Sequence, residues 1–109
     1  MAAMSLGSAL ATDQREAPRE EVFYRTRAMR PGGGSLPLQI VNISASGLMA
    51  RTDEELTVGE PFRVRLPVIG EVGAHVRWSL GGRIGCQFDR MIDLVPYLEL
   101  LGTLAKDSR

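Results

Sequence analysis

Phe62, Val64 and Leu66 alternate with Arg63 and Arg65. That is the period of a strand with one face in a core and the other in water. The same pattern recurs along the chain. Val22, Tyr24, Thr26 and Ala28 share one face of a first run, with Arg25 and Arg27 on the other. Leu38, Ile40 and Val41 make a second run, and Leu48, Met49 and Ala50 a third. Val72, Ala74, Val76 and Trp78 form one face of a fifth, opposite Glu71, His75 and Arg77; Ile84, Cys86 and Phe88 form the inward face of the last. Turn-forming residues separate the runs: Pro31 to Ser35, Asn42 to Gly47, Pro67 to Gly70, and Ser79-Leu80-Gly81-Gly82. After Phe88 the period changes. Leu94, Leu98, Leu101 and Ala105 are spaced for one helix face, with Asp93 placed as its cap and Pro96 in the first turn. The spacing predicts a helix over 93–105 whose leucine stripe packs on the sheet or on an open barrel end. Consecutive strands followed by one helix favour a small antiparallel barrel over an α/β sheet, which would interleave the two.

A chain of 109 residues suits one domain that folds without metal or disulfide. The single Cys86 excludes an internal disulfide and points to a reducing compartment; its parity makes it a core residue. Formal net charge is zero, which argues against a nucleic-acid coat protein. The cations are unusual in kind, since only Lys106 among 13 basic residues is not Arg. Arginine recognises phosphate and guanine bidentately, where lysine is a point charge; a GC-rich genome produces the same bias. No apolar stretch reaches the roughly 18–20 residues of a membrane helix. Residues 1–12 are small and mildly apolar without a basic start, and read as a flexible leader rather than a signal peptide.

Chemistry concentrates at Asn42-Ile43-Ser44-Ala45-Ser46-Gly47. Asn and Ser side chains bond nearby backbone and Gly accepts positive φ, so the stretch suits a tight turn. Asn42 and Ser44 also leave one face if the strand continues to them, and Gly47 leaves room for a close approach. The cluster then forms a small polar cradle in need of a charged partner. Other candidates carry less. Gly32-Gly33-Gly34 lacks the Lys-Ser/Thr ending and following helix of a phosphate loop. Asp53, Glu54 and Glu55 stand together in a polar loop, where carboxylates are normally solvated. His75 has no evident base, nucleophile or second ligand in the sequence.

The charged partner is Arg15-Glu16-Ala17-Pro18-Arg19, the only arginines four apart. Arg-x-x-x-Arg followed by Asn42-x-Ser44-x-x-Gly47 resembles the signature of the PilZ domain family, over about residues 13–105. Gly85-Cys86-Gln87-Phe88 is similar to that family's final strand. The resemblance implies a six-stranded antiparallel β-barrel with a C-terminal helix that binds cyclic di-GMP, a bacterial second messenger. It assigns Arg15 and Arg19 to guanine and phosphate groups, and Asn42, Ser44 and Gly47 to the rest of the ligand. A guanidinium fork fits guanine O6 and N7 and can stack on the base. Asn42 stands where the family more often has Asp, keeping an acceptor but losing charge. Some members bind no nucleotide and act as protein adaptors, which is the alternative here.

The expected organisation is a leader (1–12), the barrel domain with its closing helix (13–105) and a tail (106–109). The expected function is that of a cytoplasmic, non-enzymatic receptor: cyclic di-GMP orders the Arg15–Arg19 arm and creates a surface for another protein. No nucleophile–base pair or metal cluster stands at a plausible spacing, so neither a catalytic centre nor a metal or other cofactor is expected, and neither is a DNA or RNA partner.

Overall fold

The computed structural model describes residues 18–107. Arg15 and the leader lie outside them. Six strands appear in chain order: β1 (Glu20–Met29), β2 (Ser35–Ser44), β3 (Gly47–Arg51), β4 (Pro61–Leu66), β5 (Gly70–Leu80) and β6 (Arg83–Phe88). One helix, α1 (Leu94–Asp107), follows. The strands close into an antiparallel barrel in the order β1-β2-β3-β6-β5-β4, so the expected fold is the one observed. Closure leaves no terminal strand in the sheet, although β1 is paired with β4 only at Ala28 and Met29.

The alternation read in the sequence fills the barrel. Leu36, Leu38 and Ile40 of β2, Leu48 and Ala50 of β3, Phe62, Val64 and Leu66 of β4, and Ile84 and Cys86 of β6 all point into one core. Two short turns fix register. Ala45-Ser46 links the paired Ser44 and Gly47, and Gly81-Gly82 links Leu80 and Arg83. Both of those glycines have positive φ, 62° and 79°, as the primed hairpin turns matched to strand twist require. The seam between β1 and β4 is the thinnest, pairing only Ala28 with Val64 and Met29 with Arg63. Thr26 extends it by donating its hydroxyl to the Arg65 carbonyl at 2.6 Å. Just past this same end of β1, Arg30 holds the 52–60 loop through Glu60 (2.7 Å) and the Glu55 carbonyl (3.0 Å).

Two readings from periodicity are corrected. Trp78 was expected on the inward face with Val76, but it faces out. The register shifts between Val76, paired with Cys86, and Trp78, paired with Gly85, leaving Arg77 as an extra residue. A bulge of one residue flips side-chain parity beyond it. The helix also presents a different stripe. Tyr97, Leu100 and Leu104 are buried in the core, with Leu101 at the edge, whereas Leu94 and Leu98 face solvent. Helix α1 is apolar on both sides, so spacing alone could not set its rotation. Its start is as expected: the Asp93 carbonyl accepts the Tyr97 N–H at 2.9 Å.

Candidate ligand platform on the barrel wall

Arg19 immediately precedes β1, and Asn42 lies on β2 opposite Glu21. This pairing brings the arm to the turn that follows in sequence 23 residues later: Arg19 Nη1 donates to Asn42 Oδ1 at 3.0 Å. The Asn42 amide nitrogen in turn donates to the Met49 sulfur at 3.7 Å. Asn42 is thus fixed from both sides, half-buried, with a guanidinium laid along the wall beside it.

Ser44 and Gly47 sit beneath this contact rather than on it. Ser44 is 1% exposed, and its hydroxyl accepts the Ser46 N–H at 3.2 Å within the turn. A Cβ on Gly47 would collide with the carbonyl oxygen of Cys86, so what approaches this glycine closely is the chain's own β6. The turn is tight, and the strand leading into it carries Asn42 to an arginine. Of the five candidate residues, Arg19 and Asn42 touch, Ser44 and Gly47 shape the turn, and Arg15 falls outside the described residues.

Strand register extends the platform. Glu21, Asn42, Met49, Gly85 and Trp78 follow one another across β1, β2, β3, β6 and β5. The Trp78 indole lies on Gly85, where a Cβ would strike its ring, and remains 41% exposed. A second row runs parallel to the first: Arg25, Gln39, Arg51 and Arg83. Arg25, Gln39 and Arg51 line a groove of about 480 Å³ on the same wall. Sequence reasoning missed Trp78 and this arginine row. Gly85 opposite an aromatic was the available signal for the first; the second depends on long-range register that no local pattern carries.

Chemically, the wall offers cationic forks, an amide, a polarisable thioether and an aromatic face, which suits a planar anionic ligand. Helix α1 reaches the same place. The Tyr97 hydroxyl donates to the Ile43 carbonyl, between Asn42 and Ser44, at 3.3 Å. Burial raises the Tyr97 pKa, the Glu20 charge raises it further, and the Arg19 charge opposes both. Cys86 is a core residue as expected, its thiol pushed up to about 12 by burial. His75 does have a partner, Asp89 Oδ1 at 3.2 Å, on the outside of β5. Among the described residues no cluster of His, Cys, Asp or Glu could hold a metal, and no helix is long and apolar enough to cross a membrane.

Comparison with known proteins follows the same line. No match was found among curated proteins. Among solved structures, the chain is similar to the PilZ domain with c-di-GMP of YcgR from Escherichia coli, at a TM-score of 0.58 and 15% identity, covering 84% of this chain and 92% of that one. At that identity the likeness speaks for the fold. The family model for the PilZ domain matches residues 13–104, nearly the whole of the described barrel and helix with the Arg15–Arg19 arm ahead of them. This chain belongs to the PilZ domain family.

Proposed function

We propose that this protein is a non-enzymatic receptor for cyclic di-GMP, which binds across the barrel wall and is relayed to a protein partner through the N-terminal arginine arm. The observation that carries this reading is the Arg19–Asn42 contact, which joins the two separated halves of the motif in space. Arg15 and Arg19 take guanine and phosphate. Asn42 contributes its amide, Ser44 and Gly47 hold the turn against the ligand, and Trp78 offers a stacking face. The domain spans residues 13–105 between a leader (1–12) and a tail (106–109). The setting is the bacterial cytoplasm, with neither metal nor other cofactor and without a DNA or RNA partner.

Binding would reorganise the Arg19–Asn42 bond, because the guanidinium now spent on the amide is the group that reads the nucleotide. Calorimetric titration of the full chain with cyclic di-GMP tests this. Saturable binding that Arg19→Ala and Asn42→Ala both weaken is the expected result. A second reading rests on Glu20 and Glu21, which directly follow Arg19 and place a carboxylate opposite Asn42. They lower the local positive potential, as suits an adaptor that binds no nucleotide. Absence of binding by the well-folded wild type would select it.

A further inference from the structure

Helix α1 is apolar on the side it buries and on the side it does not. Its outer stripe runs Leu94, Leu98, Gly102 and Ala105, with Val95 alongside; Leu94, Val95 and Leu98 are 68%, 64% and 54% exposed. A helix hydrophobic all round is ordinarily a covered one. Met91, 53% exposed, carries the stripe into a cleft of about 340 Å³ whose apolar lining is Ile69, Val72, Ile92 and Pro96. We propose that this face is the docking site for a basic amphipathic helix of a partner protein, whose apolar side chains lie along α1 and whose leading one enters the cleft.

Three observations select that occupant. First, the exposed apolar stripe lies on a helix, whose backbone is already paired within itself, so a partner packs on it through side chains rather than by adding a strand. Second, the apolar stripe is edged by carboxylates. Asp89 and Asp93 border the cleft and Glu99 sits midway along α1, against Arg90 as the nearby cation. Asp93 and Glu99 form no ion pair among the described residues, so both are available to lysine or arginine on a partner. Third, the same charges disfavour a second copy of this chain. A two-fold antiparallel contact along α1 would bring Glu99, near the middle of the stripe, against its own counterpart. No side chain crowds Gly102, where a Cβ would meet nothing within 4 Å, so a partner helix can approach closely there. The stripe shares no residue with the Arg19–Asn42 platform, and its test uses no nucleotide.

The probe is a 14-residue Leu/Lys peptide with leucines at amphipathic-helix spacing, with a Leu/Glu peptide of the same pattern as its counterpart. Methyl NMR of the full chain should show the Leu/Lys peptide shifting Met91, Leu94, Val95, Leu98 and Ile92. Leu94→Ser/Leu98→Ser should weaken binding by about tenfold or more. Glu99→Lys should weaken it by about two- to fivefold. Glu54→Lys, on the distant loop, should leave it unchanged, and all variants should keep the wild-type amide spectrum. Equal binding of the Leu/Glu peptide, shifts elsewhere on the barrel, or indifference to the leucine variants would each overturn the proposal. So would a concentration-dependent dimer in sedimentation that Leu98→Ser abolishes, since the face would then belong to a second copy.

Discussion

Among the described residues Arg19 bonds Asn42 from an otherwise exposed position, so its chemistry can be tested apart from stability. If it only neutralises phosphate, lysine serves as well. If it reads a guanine edge or stacks, lysine lacks the planar fork. Losing a bidentate pair costs roughly 1–3 kcal/mol. Arg19→Lys, and equally Arg15→Lys, should therefore weaken cyclic di-GMP binding at least about fivefold by calorimetry. Melting without ligand should move little, since Arg19 lies outside the core. Wild-type affinity from both lysine variants would leave only charge neutralisation. Cys86 gives a second test. Its thiol pKa is about 12 in the fold against 9.0 as the ordinary value, so the unfolded chain releases its proton first. Stability should fall as pH rises above about 9, through this window, because the unfolded state then binds fewer protons. The slope should shrink in Cys86→Ala when denaturation is followed against pH.

The rotation of α1 separates two leucines two positions apart. Leu100 is fully buried in the core and Leu98 is not. Leu100→Ala should cost about 2–5 kcal/mol. Leu98→Ala should stay within about 0.5 kcal/mol by chemical denaturation. The reverse order would mean that the leucine stripe expected from spacing is the inward one after all. That expectation failed because Leu94/Leu98/Leu101 and Tyr97/Leu100/Leu104 are both acceptable helix faces, and only the barrel end chooses between them. Trp78 failed differently: its strand was correctly placed, but the bulge at Arg77 is set by pairing with β6 and leaves no trace in alternation. Strands bounded by turn residues, such as Phe62 to Leu66, were legible because each has one wet face. The Asn42–Gly47 turn was legible as well, from residue type and order, and the family resemblance pointed to the Arg19 that bonds Asn42. The Arg25–Gln39–Arg51–Arg83 row was not, since its members come from four strands.

At the scale of the whole molecule, a net charge of zero conceals a local concentration of cations. Arg25, Arg51 and Arg83 share the wall that carries Asn42, with Asp53 of the following loop as the carboxylate in the same groove. An anionic ligand should associate faster at low salt, and stopped-flow rates should fall as ionic strength shortens the screening length from about 30 Å at 0.01 M to 10 Å at 0.1 M. An association rate indifferent to salt would show that the row does not steer.

The seam between β1 and β4 has a consequence in time. A closed barrel resists opening only as well as its narrowest ladder, and this one rests on two residue pairs and the Thr26 hydroxyl. The molecule should therefore breathe by unzipping there into a curved open sheet, well before it unfolds. Amide protons of the β1–β4 ladder should exchange with solvent at a lower free energy than those of the longer β1–β2 and β5–β6 ladders. During such an excursion Ala28 and Val64 meet water, and the paired edges of β1 and β4 are laid bare along their length. Self-association, rare in the closed state, would then be governed by how often the seam parts. Uniform exchange across all ladders would assign that role to global unfolding instead.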